Sequence, residues 1–322
     1  MTLPTCWVIT DGKAGMENQC VGLAEALGLS PVIKRVKLRA PWKQLSPSIL
    51  RIGNRWSLDP AADQLDGPLP DILIATGRHS VSSSLAIREM SGGKTFRIQI
   101  QDPGIPARNF DLVVVPRHDR LRGANVVVTK GAPHKVTPAK LAAAAARFPR
   151  LAALPHPRIA VLIGGDNGVY KLTPDITRQV ADGLAALARQ HGAALMVTPS
   201  RRTGAANEAI LRETLAGLPG EVWDGSGDNP YFGYLGQADV VVVTCDSVNM
   251  VCEACTTGKP VHVIGLEGGS PKFQRFHDAL RADGVTRPFD GRLEDWSYAP
   301  FNDAAMVAAE VQRRLAERSS GR

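Results

Sequence analysis

Residues Asp239–Val263, DVVVVTCDSVNMVCEACTTGKPVHV, decide how this chain folds. The four valines of Val240–Val243 have the length and β-branching of a strand buried on both faces. The run empties into a polar turn, Thr244-Cys245-Asp246-Ser247, and a short helix of small residues carrying Glu253 follows. Thr257-Gly258-Lys259-Pro260 stops that helix, and a second strand spans Val261–Ile264. In open α/β sheets, ligands bind outside the carboxyl ends of strands, where helix N-termini offer unpaired N–H groups. Ser247 opens such a helix, Asn249 and Met250 fall in its first turn, and Glu253 lies at helical spacing on the face of Asn249. Hydroxyl, helix terminus and carboxylate together suit a ligand that joins phosphate to ribose, as a nucleotide sugar does.

Outward from this unit, strand and helix patterns alternate along the chain. The first half predicts strands at Cys6–Thr10, Val32–Val36, Asp71–Ala75, Arg97–Gln101, Leu112–Pro116 and Asn125–Thr129. Helices are predicted around Glu17–Leu27, Ser80–Met90 and Ala139–Phe148, and Pro149–Pro157 has the proline content of a linker. The second half predicts strands at Arg158–Ile163, Ala194–Thr198 and near Glu221–Trp223, with helices around Asp175–His191 and Ala206–Leu215. An amphipathic helix, Asp303–Arg318, closes the chain. Apolar strands alternating with helices imply parallel sheets covered on both faces. The expectation is an α/β protein of two doubly wound, Rossmann-like domains, 1–154 and 155–300, with residues 301–322 free to cross back to the first. A length of 322 residues suits two domains.

Four loops at predicted strand ends carry the polar chemistry. Thr10–Gln19 holds Asp11, Gly12, Lys13, Gly15, Glu17 and Asn18 between a strand and a helix start, without the spacing of a P-loop or a full GxGxxG. Gly77-Arg78-His79-Ser80 follows the strand Asp71–Ala75, so His79 is a base or a structural histidine. Asp102 after the next strand either contacts substrate or caps its turn. In the second half, Gly164-Gly165-Asp166-Asn167-Gly168 reads as a phosphate nest. Ser200-Arg201-Arg202-Thr203 adds a hydroxyl and two guanidiniums, of which adjacent side chains can turn only one toward a common ligand. Cys252 and Cys255 form a C-x-x-C without a second ligand pair, which favours compact core packing over metal or redox use.

Hydrophobic content of 44% with 21% charged residues is ordinary for a globular chain, and no run approaches the ~18 apolar residues of a membrane span. The N-terminus lacks the charged and apolar regions of a signal peptide. Five scattered cysteines fit a reducing compartment, so the expected location is the cytoplasm. Residues 1–155 hold 21 Lys+Arg against 11 Asp+Glu, and residues 156–322 hold 17 against 20. Lys34, Arg35, Lys37, Arg39, Lys43, Arg51 and Arg55 follow one another with Trp42 among them and no acid between. Lys34–Arg55 is therefore either a contact for an anionic membrane or acidic acceptor, or a solvated face. No nucleic-acid motif accompanies the charge, and no nucleic-acid partner is expected.

The stretches WVITDGKAGMENQCVGLAEALG at 7–28, IGGDN at 163–167, TPSRRT at 198–203 and TCDSVNMVCEACTTGKPV at 244–261 resemble bacterial relatives of the plant mitochondrial-elongation (mitochondrial fission) protein. The likeness runs from the first strand to about residue 280. That family is in turn similar to glycosyltransferases of the two-Rossmann GT-B architecture, whose domains face a cleft, including the lipid-linked peptidoglycan and Kdo transferases. The resemblance implies a nucleotide-sugar donor on the C-terminal domain, with Glu253 as ribose ligand and Ser247 and Arg201 as phosphate contacts. It implies an anionic or lipid-linked envelope acceptor on the N-terminal domain, at the inner-membrane surface, with Asp11 or Glu17 in the base position. Transfer would be inverting and metal-independent, with no cofactor beyond the donor itself. A non-catalytic, membrane-associated adaptor retaining the fold is the other reading. A nucleoside-diphosphate-sugar epimerase of the Y-x-x-x-K type is not supported, because that motif and a GxGxxG after the first strand are both missing.

Overall fold

The computed structural model describes residues 3–45 and 55–320, with only the backbone of Arg55. They form two compact units, residues 1–135 with 302–322, and residues 136–301. The boundary lies near 135, not 154, and the physical reason is packing in the second unit. There, helix α4 (Pro138–Arg147) lies against α8 (Tyr231–Gln237). A Cβ on Gly236 would sit 2.6 Å from the Leu141 carbonyl oxygen, and one on Gly233 would sit 2.6 Å from the Phe148 ring. Two glycines on α8 thus let α4 and the following turn approach, and the proline-rich stretch becomes part of that unit. Redrawn so, the first unit carries a net charge of +8 and the second −1.

In the first unit, β1 (Cys6–Thr10), α1 (Ala14–Ala26), β2 (Val32–Arg35), α2 (Trp42–Leu45), β3 (Ile72–Thr76), α3 (Val81–Met90), β4 (Phe96–Ile100), β5 (Leu112–Pro116) and β6 (Val126–Thr129) follow in order. The sheet order is β2-β1-β3-β4-β5-β6, every pair parallel, with Val8 opposite Ile33 and Ile74. Strands β1, β3, β4 and β5 are buried throughout, and β1, β3 and β5 accordingly read as near-continuous apolar runs, whereas β4 buries Arg97 and Gln99 among its apolar residues. The closing helix, Asp303–Ser320, belongs to this unit: it packs on α1 and buries Val307, Ala308 and Val311 beside Leu23 and Ile98. Its first residue, Asp303, accepts hydrogen bonds from the Lys130 and Gly131 N–H groups at 3.0 and 2.8 Å.

The second unit runs through α4, α5 (Pro149–Ala152), β7 (Arg158–Ile163), β8 (Tyr170–Lys171), α6 (Pro174–His191), β9 (Ala194–Pro199), α7 (Ala205–Thr214), β10 (Gly220–Val222), α8, β11 (Val240–Thr244), α9 (Val248–Cys255), β12 (Val261–Ile264), β13 (Glu267–Gly268), α10 (Pro271–Ala282) and β14 (Thr286–Pro288). Its main sheet has the order β10-β9-β7-β11-β12-β14, again all parallel, and β8 and β13 form a small antiparallel pair. Thr137, Thr173 and Ser270 cap α4, α6 and α10, each followed by proline at the first helical position. Cys252 and Cys255 are fully buried on α9, as core packing requires.

The two strand orders reverse at β1/β3 in the first unit and at β7/β11 in the second. These are the switch points where adjacent connections leave in opposite directions and open a crevice at the carboxyl edge.

His262 on β12 is fully buried, edge-on to Phe289 and Trp296 with ring centroids 6.3 and 5.1 Å away. Burial lowers its pKa from the ordinary histidine value, so the folded state resists the proton that the unfolded chain accepts. Its neutral-form stability is complete above about pH 6.5 and is lost as pH falls below that value. The wild-type melting temperature should therefore drop between pH 7 and pH 5.5, and His262→Phe should drop less over the same interval; equal slopes would exclude His262 as a source of the loss.

Candidate functional site

Of the predicted residues, Asp11 and His79 lie at the β1/β3 switch point of the first unit and Gly164 and Ser247 at the β7/β11 switch point of the second. In the first unit, Asp11 follows β1 and His79 follows its neighbour β3. The His79 Nδ1 lies 4.0 Å from Asp11 Oδ2, and Lys13 Nζ bonds the same oxygen at 2.6 Å. Burial, then the neighbouring Arg78 charge, lowers the His79 pKa, while Asp11 acts against them. Its Nε2 is buried without a hydrogen-bond partner among the described residues. Gly77 adopts a left-handed φ of 77° and receives Met16: a Cβ there would be 3.1 Å from the Met16 sulfur.

Other first-unit residues have internal duties. Arg35 donates to both Glu17 carboxylate oxygens at 2.8 and 2.9 Å, a bidentate clamp that leaves Glu17 poorly placed as a base. Gly15 and Asn18 lie inside α1, which begins at Ala14, rather than in the preceding loop. The Gly12 N–H donates to Thr10 Oγ1 at 3.1 Å. Ser80 Oγ donates to the Thr76 and Gly77 carbonyls, and Asp102 accepts from the Gly104 N–H at 2.9 Å, so Asp102 caps its turn. Arg78 is exposed.

Sequence reasoning missed the glutamines beside this cluster. Gln101 is the sole non-glycine residue with positive φ among the described residues, at 70°, and its Nε2 donates to Gln19 Oε1 at 3.2 Å. A non-glycine residue held there marks a strained, over-determined position. Gln99 is fully buried, with Oε1 unpartnered among the described residues. The signal was present in FRIQIQ, where polar side chains interrupt an otherwise apolar strand. His118, Asp119 and His134, buried after β5 and β6, were also overlooked.

In the second unit the loops after β7, β9 and β11 are knotted around Asp246. Its side chain is 0% exposed and accepts from Thr244 Oγ1 at 2.6 Å, the Gly165 N–H at 3.2 Å and Arg202 Nη1 at 2.6 Å. A Cβ on Gly164 would stand 2.1 Å from an Asp246 oxygen, and one on Gly165 would stand 2.0 Å from the Arg202 carbonyl oxygen. These glycines therefore admit protein partners, which corrects the phosphate-nest expectation. The Gly164, Gly165, Asp166 and Asn167 N–H groups all bond within the protein, to Thr244, Asp246, Arg202 and Tyr170 respectively. Asn167 bridges the Asp246 carbonyl to the Val169 and Tyr170 N–H groups. Asp166 accepts from the Leu172 N–H and Lys171, which hold its carboxyl below the usual range. Ser200 Oγ accepts from the Arg202 N–H at 3.2 Å, closing its own turn, and donates to the Gly164 carbonyl at 3.0 Å.

What remains for a ligand is the half-exposed turn Ser247–Met250. Ser247 caps α9 by accepting from the Met250 N–H at 3.4 Å, and the partial positive charge of the helix end faces outward over Asn249. Arg201 is exposed, with no hydrogen bond or ion pair to any described residue, whereas Arg202 turns in. Because Arg202 neutralises the buried Asp246, no bare carboxylate opposes an anion at this edge. Two turns along α9, buried Glu253 accepts from the Tyr231 hydroxyl at 2.6 Å, an anchor absent from the sequence reading. Burial, then the carboxylate, drives the Tyr231 pKa upward, so the phenol remains a donor.

Of the basic segment, Lys34 donates to the Gln64 carbonyl at 2.7 Å, Arg35 binds Glu17, and Lys37 pairs with Asp59 at 3.2 Å. Arg39 and Lys43 are exposed beside half-exposed Trp42; Arg51 and the Arg55 side chain lie outside the described residues. Among the described residues, no helix is long and apolar enough to cross a membrane.

Two all-parallel, doubly wound units with polar loops gathered at their switch points define a protein of the GT-B fold. MurG of Acinetobacter baumannii superposes with a TM-score of 0.54 at 14% identity, covering 96% of this chain and all of that one. The UDP-GlcNAc 2-epimerase of Methanocaldococcus jannaschii gives 0.51 at 10% identity, covering 96% and 99%. The chain belongs to the mitochondrial fission ELM1 family, whose model matches residues 14–315. It is 32% identical to the mitochondrial fission protein ELM1 of Arabidopsis thaliana, over 97% of this chain and 91% of that protein.

Proposed function

We propose that this protein is a glycosyltransferase that moves a sugar from a nucleotide-sugar to an anionic or lipid-linked envelope acceptor, without a metal and with inversion. The observation that carries the reading is the β7/β11 switch point. There the capped N-terminus of α9 and the Tyr231-anchored Glu253, with unpaired Arg201 from the loop after β9, offer phosphate and ribose contacts. The α9 terminus and Arg201 would meet the charge of the departing diphosphate. The name of the epimerase neighbour says that it acts on UDP-GlcNAc, which supports a nucleotide-sugar ligand for this fold.

In the first unit, Asp11 and His79 are the groups for the acceptor. Their 4.0 Å separation is too long for a direct hydrogen bond but admits a hydroxyl oxygen at about 2.8 Å from each. One of the pair then removes the acceptor proton as the glycosidic bond to phosphate breaks. We expect His79→Ala and Asp11→Asn each to lower kcat by about 100-fold, the usual contribution of a general base, and to leave the donor Kd within twofold. Because His79 has a lowered pKa, the wild-type acid limb should fall below pH 6.5 and disappear in His79→Ala. Parallel losses in kcat and donor binding would refute the assignment.

A thermal-shift screen with UDP-, GDP-, ADP- and CMP-sugars tests the donor. A ligand at 100 times its Kd adds about 2.7 kcal/mol, several degrees for a unit of this size. Transfer should persist in EDTA, while conversion of UDP-GlcNAc to its 2-epimer would place the chain with the epimerases instead. The membrane component rests on Arg39, Trp42 and Lys43. Flotation with anionic vesicles that is indifferent to neutralising Lys34–Lys43 would remove it. If no nucleotide shifts the melting temperature, the non-catalytic adaptor of the same fold is the better reading.

A further inference from the structure

Beside the Cys245–Ser247 turn, the second unit has a half-open cavity of about 220 Å³ that the donor reading does not use. Tyr170, Cys245, Gln274, His277, Arg281 and Arg287 are among its polar lining residues, with Thr286 beside them, and Val263, Leu266 and Pro288 are among the apolar walls. Two guanidiniums and no carboxylate line it. Asp278 and Glu294, which pair with Arg281 and Arg287, are not among the lining residues. A fork of five N–H donors is not exhausted by one carboxylate partner, so each arginine keeps donors for a second anion.

His277 gives the cavity its direction. The ring is 8% exposed, and Nε2 lies 2.9 Å from the Cys245 carbonyl oxygen. A carbonyl can only accept, so Nε2 carries the hydrogen and Nδ1 is left as an acceptor. Nδ1 is buried and has no partner among the described residues. Burial lowers the His277 pKa, which keeps the ring neutral near pH 7. A buried acceptor without a donor costs about 1–3 kcal/mol, a cost that a bound hydroxyl would remove. The volume admits on the order of seven waters at about 30 Å³ each, or a ligand of about ten heavy atoms.

We propose that this cavity binds a small hydroxylated anion, its acidic group on Arg281 and Arg287 and its hydroxyl donating to His277 Nδ1. The proposal does not rest on the transferase reading. Phosphomonoesters and hydroxycarboxylates share this chemistry.

Cys245 reports occupancy without an activity assay. All five cysteines are buried, yet of these Cys245 alone lines the cavity. In the native protein, iodoacetamide followed by peptide mass spectrometry should label Cys245 faster than Cys6, Cys20, Cys252 or Cys255. Glycerol 3-phosphate or lactate at millimolar concentration should slow that labelling at least threefold; whichever protects more identifies the acidic group. Glycerol tests the charge and inorganic phosphate tests the hydroxyl, and each should protect less. His277→Gln retains an N–H for the Cys245 carbonyl but removes the Nδ1 acceptor, and Arg287→Gln removes charge at a half-exposed position. Both should abolish protection while the melting temperature stays within a few degrees. Equal labelling of all five cysteines, no protection by either anion, or equal protection by glycerol would overturn the proposal.

Discussion

Glu253→Ala is expected to weaken binding of the preferred sugar nucleotide by about 100-fold, and Glu253→Gln by about tenfold. A carboxylate that accepts both ribose hydroxyls makes two charge-assisted hydrogen bonds of about 1.5 kcal/mol or more each, and 1.4 kcal/mol is a factor of ten. Glutamine keeps one acceptor oxygen and loses the charge, so it should retain part of the affinity. The geometry adds a graded control. The Tyr231 hydroxyl donates to Glu253 Oε2 at 2.6 Å and helps fix the carboxylate. Tyr231→Phe should therefore cost only a few-fold in affinity, with the protein folded. Isothermal titration of the four proteins against the same nucleotide checks the order. Wild-type affinity in Glu253→Ala would end the ribose assignment, whatever the fold.

The strands were legible because burial on both faces leaves little ambiguity. β1, β5, β7 and β12 begin and end where their apolar runs do, and the strand-order reversal placed Asp11, His79, Gly164 and Ser247 at switch points. α10 was not legible: Phe273, Phe276 and Leu280 are spaced among five charged or amide side chains and a histidine, and no helix was predicted there. α8 was hidden by Gly233 and Gly236, which read as loop residues and in fact admit α4. The site shows the same limit more sharply. A glycine pair after a strand has one appearance in sequence whether its close neighbour is a phosphate or a carboxylate. Here the neighbour is Asp246, 81 residues beyond Gly165, and only the fold brings it there. The residues alone likewise allowed one of two adjacent arginines to face the ligand without telling which, and only the family resemblance pointed to Arg201.

That pair of arginines yields the second large effect. Arg202→Ala should destabilise the second unit by about 3–5 kcal/mol near pH 8, because it leaves the fully buried Asp246 carboxylate without its counter-ion. At about 2–4 °C per kcal/mol the melting temperature should fall by roughly 6–20 °C. The guanidinium is the cation that pairs with this carboxylate, at 2.6 Å, and the Thr244 hydroxyl and Gly165 N–H that remain are neutral donors. Arg201→Ala should do the opposite: its side chain is exposed and meets no described residue, so the melting temperature should hold within about 1 °C while donor affinity falls. Melting curves, with nucleotide titrations of both variants, separate the inward arginine that builds the β7/β11 edge from the outward one that serves it. An Arg202→Ala melting temperature within about 1 °C of wild type would mean that the guanidinium does not stabilise the buried carboxylate.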